Sequence, residues 1–192
     1  MKRITIQKLL VIVFMFFSLT AFSKEENSDF ATVIEAIKTT KSIQIKAVSP
    51  MVYVTRYDLN YEDEINTRGA KYIFEETADI AKIINMFLLS KPSSEKQLPN
   101  GFIHPNIALY FILSNGQEVK FLLENQYSKE DPLVYGKYSS TNNLSANACS
   151  VSSDLKMNIY KYLSNSEKNM NQKYPTSFQS ESWRSYMQSV RE

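Results

Sequence analysis

The sequence contains little cysteine, histidine or glycine, and these shortages limit the chemistry that it can support. Among 192 residues there are one Cys, one His and four Gly. A single cysteine cannot close an internal disulfide. The glycines, at positions 69, 101, 116 and 136, lie far apart, so the sequence has no Gly-rich loop of the kind that holds phosphates or dinucleotides. We therefore expect neither a disulfide scaffold nor a nucleotide cofactor.

Catalytic motifs are also missing. The only histidine, His104, lies between Ile103 and Pro105, and no Ser-His-Asp or metal-binding pattern forms around it. Two S-x-x-K matches, Ser93 to Lys96 and Ser153 to Lys156, lack the Lys-Thr-Gly and Ser-Asp-Asn partners that complete such a serine site. We predict that the protein is not an enzyme. A site made only of Ser, Asp, Glu, Lys and Tyr stays open as the least favoured alternative.

Two clusters of carboxylates are candidates for holding a hard cation. They are Glu62-Asp63-Glu64 and the group formed by Glu75, Glu76 and Asp79. Neither has the spacing of a calcium loop with its central glycine, so we expect no metal. A solvated surface, or an acidic rim against a basic partner, explains them better.

The first 23 residues have the three-part organisation of an export signal. Lys2, Arg3 and Lys8 give a basic start, Leu9 to Phe17 is an unbroken apolar run, and Ala21-Phe22-Ser23 matches a signal-peptidase site. The apolar stretch is shorter than the roughly 20 residues that a membrane-spanning helix needs. We predict cleavage after Ser23 and a periplasmic or secreted protein, with an uncleaved anchor as the alternative.

Removal of residues 1–23 changes the charge balance. It takes away three of the 22 basic residues and none of the 20 acidic ones, which leaves a mature net charge near −1. Such a chain has no general excess of basic residues, so we expect no nucleic-acid partner. Residues 24–192 have the length of a single domain. We expect Cys149 to be buried and inert, although its position just before a predicted helix leaves a reactive thiol as an alternative.

A β-hairpin is the strongest local signal. Asn115-Gly116 separates two apolar runs, and this dipeptide favours a two-residue type I′ turn. That turn predicts a register with Tyr110 opposite Phe121. One face would then carry Tyr110 and Phe121 together on the core, with the other apolar members Ala108, Ile112, Val119 and Leu123.

Apolar periodicity predicts the remaining elements. Helices are expected over residues 29–40, 78–89, 152–163 and 179–191, and strands over residues 42–48, 51–57, 70–74 and 133–138. Thr77 is the expected N-cap of the second helix, and residues 139–148 are expected to be a loop. The last helix should cover Leu109, Phe111 and Leu113 or else pack beside the helix that ends at Leu163. The prediction is an α+β domain: an antiparallel sheet of five or six strands with three or four helices.

The predicted function follows from the signal, the single modest domain and the lack of a catalytic pattern. We expect a protein partner, with the chain acting as an inhibitor or immunity protein that neutralises a toxin or an envelope hydrolase. The alternative is a periplasmic module for small-ligand binding or envelope assembly. Loop aromatics and acidic residues are the expected contact set: Tyr57, Tyr61, Glu62, Asp63, Glu64, Phe102, His104 and Tyr127.

Overall fold

The computed structural model describes residues 29–48, 65, 69–98, 105–124, 132–141, 143–167, 185–186 and 188–189. The chain divides into two compact units, Met1–Glu35 and Ala36–Glu192. In the first unit, residues 29–35 are helical, and this helix, α1, ends at residue 37. Of the described residues, none belongs to a helix that is long and apolar enough to cross a membrane.

Helix α1 ends three residues before its predicted end. The hydroxyl of Thr39 donates to the Ala36 carbonyl at 2.8 Å, and that of Thr40 donates to the Ile37 carbonyl at 2.6 Å. Threonine side chains that bond to nearby carbonyls compete with the helical backbone pattern. The chain therefore leaves the helix here and enters the first strand.

The second unit contains one antiparallel sheet of seven strands. The strands are β1 (Thr40–Ala47), β2 (Ala70–Phe74), β3 (Ser93–Ser94), β4 (Pro105–Leu113), β5 (Glu118–Glu124), β6 (Leu133–Ser140) and β7 (Asn143–Ser152). Their order across the sheet is β2-β1-β4-β5-β6-β7-β3. The α+β class is confirmed, with one strand more than the upper expectation. The predicted strand over residues 51–57 lies outside the described residues.

Strand β7 contradicts the prediction of a loop over residues 139–148. Its sequence, NLSANACSVS, is dominated by Ser, Asn and Ala and has little of the β-branched and aromatic character that marks strands. Pairing overrides this weak local preference, because β6 contributes an antiparallel partner along most of its length. The two-residue strand β3 then pairs with Cys149 and Ser150 on the other side.

The hairpin between β4 and β5 has a different loop from the predicted one. The Leu113 N–H donates to the Gln117 carbonyl at 2.8 Å, and the Gly116 N–H donates to the Leu113 carbonyl at 3.0 Å. Gly116 has a positive φ of 84°, whereas Asn115 does not. A three-residue loop with left-handed backbone only at its last residue replaces the type I′ turn.

The longer loop shifts the register by one residue, so the predicted face assignment is wrong. Tyr110 lies opposite Lys120, and Leu109 lies opposite Phe121. Because side chains alternate along a strand, this shift places Tyr110 and Phe121 on opposite sides of the sheet. We call the side that carries Phe121 the first face and the side that carries Tyr110 the second face.

Two helices cover the first face: α2 (Thr77–Leu89) and α3 (Asp154–Glu167). The ring of Phe87, on α2, lies 4.6 Å from that of Phe121 and 5.4 Å from that of Phe111. All three side chains are fully buried. The residue before α2 is Glu76, with no side-chain cap, so the prediction of Thr77 as N-cap is wrong.

Contacts of α3 and of the C-terminal segment complete the described packing. The Tyr160 hydroxyl donates to the Val48 carbonyl at 3.1 Å. The ring of Tyr186, in the helical residues 185–186, lies 5.0 Å from that of Tyr160. This contact supports placement of the tail beside α3. The other predicted placement, over Leu109, Phe111 and Leu113, is wrong, because Phe87 packs against Phe111.

Candidate functional site

The eight residues predicted to contact a partner all lie outside the described residues. They are Tyr57, Tyr61, Glu62, Asp63, Glu64, Phe102, His104 and Tyr127. Their role as a contact surface stays a prediction. Among the described residues, the candidate contact surface lies on the sheet.

Except at β4, which is buried on both sides, the second face is the more exposed side of the sheet. Along β5, Val119, Phe121 and Leu123 are buried, whereas Lys120 and Leu122 between them are half-buried. The same alternation holds in β1, β2 and β6. Binary alternation of this kind is typical of a sheet that faces a core on one side and water on the other.

Four lysines share the second face in two neighbouring rows that run across the strands. Register pairs give one row from β2 to β6: Lys71, Lys46, Ala108, Leu122 and Lys137. The next row consists of Ile73, Gln44, Tyr110, Lys120 and Ser139. No carboxylate stands at any of these ten positions. The only acidic residues that β5 places on this face, Glu118 and Glu124, stand at its two ends.

An apolar centre lies between these lysines. Tyr110 is 6% exposed and packs with Val48, Ile65 and Ala108. Two half-buried side chains, Ile112 and Leu122, pack against this cluster. The Lys46 Nζ lies 5.1 Å from the centroid of the Tyr110 ring, a cation–π geometry that holds the amine over the cluster.

Gly69 ends the segment that follows Ile65. Its N–H donates to the Ile65 carbonyl at 3.0 Å, and a Cβ at this position would lie 2.5 Å from that oxygen. No residue other than glycine fits so close an approach without a shift of the backbone. This contact fixes Ile65 next to the start of β2, where it packs against Ala108 and Tyr110 of the second face.

The buried amine of Lys156 lies away from the second face, in the first turn of α3. Lys156 is 6% exposed, and its Nζ donates to the Glu124 carbonyl at 3.0 Å. Burial lowers the pKa of Lys156 to about 7, and the nearby Glu124 carboxylate opposes this shift. The amine therefore lies close to the boundary between its charged and neutral forms at neutral pH.

Neither S-x-x-K match assembles a serine–lysine pair in the hydrogen bonds of the described residues. Lys156 bonds the end of β5 and not Ser153, whose N–H donates to the Pro132 carbonyl. In the other match, Ser93 lies in β3 and Lys96 follows that strand as an exposed residue. That both matches are accidental stays a prediction.

Cys149 is fully buried in β7, on the first face beside Gly136. A Cβ at Gly136 would lie 3.4 Å from the Cys149 Sγ and only 2.4 Å from the Leu122 carbonyl oxygen. Burial, reinforced by the charge of Glu95, raises the pKa of the Cys149 thiol. A thiol held neutral and away from water is a poor nucleophile, as expected for an inert cysteine.

Two of the described carboxylates, Asp79 and Glu95, accept hydrogen bonds from tyrosine or serine hydroxyls of other elements. The Tyr162 hydroxyl donates to Asp79, which joins α3 to the first turn of α2, and the Ser150 hydroxyl donates to Glu95 at 2.6 Å. Within the described part of the chain, no three His, Cys, Asp or Glu side chains come together as a metal site would require. Glu75, Glu76 and Asp79 are close in sequence but do not come together as such a group.

Sequence analysis missed the lysine rows. Each of Lys46, Lys120 and Lys137 alternates with buried neighbours, so the pattern shows that each points away from a core. It does not show which strands are neighbours or in what register they pair, and these decide whether the lysines meet. Comparison with known protein families, with curated proteins and with solved structures gives no match for this chain.

Proposed function

We propose that this chain is an exported, non-catalytic protein-binding domain, and more specifically a periplasmic inhibitor or immunity protein that neutralises a toxin or an envelope hydrolase. One observation carries the proposal. The second face combines an apolar centre, with half-buried Ile112 and Leu122, and a charged surround. An apolar centre inside a polar rim is the usual composition of a protein–protein contact surface.

The shape of the second face also favours a protein partner. Its half-buried and exposed side chains belong to neighbouring strands of one continuous sheet and surround Ala108 and Tyr110, which are buried against Ile65. Small-molecule sites are usually concave and enclose most of their ligand. A broad sheet face suits an inhibitor that acts by covering the working surface of another protein.

Capture of a partner by the full chain tests the proposal. The chain, expressed from its own first residue with a C-terminal tag, is recovered from the exported fraction together with whatever it binds. We expect a stable stoichiometric protein complex. Mass measurement of the same material tests cleavage after Ser23.

Two matched variants test whether capture of the partner depends on the second face. Leu122→Asp puts a charge at its centre, whereas Met157→Asp changes an exposed apolar residue on α3. The first variant should lose the partner and the second should keep it. Recovery of a bound small molecule without a protein, or equal capture by Leu122→Asp, would overturn the proposal.

A further inference from the structure

We infer that the outer edge of β2 binds a second copy of this chain, so that two sheets join along antiparallel β2 strands into one continuous sheet. The juxtaposition that carries the inference is the alternating row of Lys71, Ile73 and Glu75 at that edge. Strand β2 stands last in the strand order, with β1 as its neighbour. The inference goes beyond the proposed function, because it concerns self-association at the edge of the sheet and needs no foreign partner.

Backbone hydrogen bonds show that two residues of β2 direct their N–H and C=O groups away from the sheet. The Val48 N–H donates to the Asn106 carbonyl at 2.9 Å, so the even-numbered residues at this end of β1 bond β4. The odd-numbered residues of β1 bond β2 instead. Their partners in β2 are Ala70, Tyr72 and Phe74. Lys71 and Ile73 lie between these partners, so their backbone groups point outward.

The outward side of β2 is accessible. Lys71 is exposed, and Ile73 is 42% exposed although its side chain is large and apolar. In the described parts of the chain, no strand pairs with this side of β2, and no hydrogen bond uses the outward backbone groups of these two residues. Such a row of backbone groups is a template on which another strand can pair.

The side chains of this edge favour a second copy as the strand that pairs there. Glu75 follows β2 directly and is exposed, and the next residue, Glu76, has extended backbone. If a two-fold axis passes between the two Ile73 residues, Lys71 of each copy lies opposite Glu75 of the other. Opposite charges in this cross-strand position stabilise a sheet.

Charge also selects the register of the paired strands. A two-fold axis at Lys71 would place two lysines opposite each other, which is unfavourable. The axis at Ile73 avoids this and brings two exposed apolar side chains into contact. An edge lysine usually discourages strand pairing, but here the same edge supplies the carboxylate that neutralises it.

The short length of β2 makes the expected dimer weak. The strand has five residues, so its edge buries less surface than a stable, permanent dimer requires. We therefore expect an equilibrium between monomer and dimer that depends on protein concentration.

Sedimentation velocity of the full exported chain over a range of concentrations tests the inference. We expect dimers at high concentration. Ile73→Pro should abolish them, because proline removes an outward N–H without breaking a bond to β1. Lys71→Glu should weaken dimerisation roughly tenfold, since it places like charges opposite each other twice in each dimer. Lys71→Glu combined with Glu75→Lys should restore it.

A matched control separates the edge from total charge. Lys96→Glu makes the same charge change as Lys71→Glu at an exposed position away from β2, and should leave dimerisation unchanged. Amide hydrogen exchange at high concentration should show added protection at Lys71 and Ile73. Melting curves establish that each variant is folded, and the charge variants carry the test if Ile73→Pro does not fold.

Four results would contradict the inference. They are a monomer at every concentration, equal weakening by Lys96→Glu and Lys71→Glu, failure of the charge exchange to restore the dimer, and amides of Lys71 and Ile73 that are already protected in the monomer. The last result would mean that the chain covers this edge itself. Capture of a foreign partner is measured separately with Leu122→Asp, so the proposed function and this inference can fail independently.

Discussion

Phe121 and Leu122 are adjacent residues of one strand, but they contact opposite sides of the sheet. Phe121 is fully buried among Phe87, Phe111 and Tyr138, whereas Leu122 is half-buried at the centre of the second face. The first face is closed by helices, so its residues determine stability. The second face keeps lysines and half-buried apolar side chains in contact with water. We assign the stability of the fold to the first face and propose that the second face binds a partner.

The largest expected effect is loss of an aromatic ring from the first face. Phe121→Ala should lower the free energy of unfolding by about 4 kcal/mol, because it removes buried surface and leaves a cavity. Leu122→Ala, one residue away, should cost about 1 kcal/mol, since the side chain is only half-buried. Urea unfolding of both variants measures the difference. Equal losses would contradict the assignment of the core to one face.

The pH dependence of stability should be dominated by the buried amine of Lys156, in the first turn of α3. The pKa of Lys156 is about 7 in the folded chain against about 10.4 for an unperturbed lysine. The unfolded state therefore binds more protons between these values, so stability should rise from pH 7 towards pH 10. Above pH 10 it should fall, because burial raises the pKa of Tyr160 and Tyr162, whose protons the unfolded chain releases first.

Replacement of Lys156 isolates its contribution to the pH dependence of stability. Lys156→Met should stabilise the protein at pH 6 by on the order of 3 kcal/mol and change little at pH 10, because it removes the cost of a buried charge. Met157→Leu, at an exposed residue of α3 that carries no titratable group, should leave the pH profile unchanged. Thermal melting from pH 6 to pH 10 makes the measurement. A flat difference between wild type and Lys156→Met would contradict the interpretation.

Two glycine substitutions should separate the cost of a steric clash from the cost of a positive φ. Gly136→Ala should cost about 2 kcal/mol or more, because the new Cβ would lie 2.4 Å from the Leu122 carbonyl oxygen and overpacks a tight contact. Gly116→Ala meets open space, so only its positive φ resists the change, at about 1 kcal/mol. Denaturant unfolding measures both losses. A larger loss at Gly116 would contradict the packing explanation.

The smallest expected effect concerns a single hydroxyl between the helices. Tyr162→Phe removes the hydrogen bond to Asp79 and should cost about 1 kcal/mol. Tyr135→Phe, on the half-buried side of β6, should stay within about 0.5 kcal/mol. Urea unfolding is again the measurement. A larger effect at Tyr135 would show that the second face contributes to folding as well.

Predictions from sequence succeeded where a local pattern determines the structure. The strand over residues 70–74 matches β2, and the helix over residues 78–89 matches α2 within one residue. Both segments carry strong apolar periodicity. The prediction failed at β7, whose polar sequence becomes a strand only because β6 pairs with it.

The hairpin shows how an error of one residue in a predicted loop changes the predicted register of two strands. Asn115 and Gly116 indicated a turn, and the turn lies there, but the loop has three residues where two were expected. That single residue exchanged the sides of β5 relative to β4. The lysine rows could not be predicted for the same reason, since they need the register of four strand pairs at once.

The sequence alone determined the alternation of buried and exposed residues within most strands and the apolar faces of the main helices, because these follow from chain geometry and side-chain type. The tertiary structure decided which alternating side faces the helices and which lysines stand together. Those outcomes depend on strand order and on register, which are set by contacts between residues far apart in the chain. A one-residue change in a loop is enough to alter them.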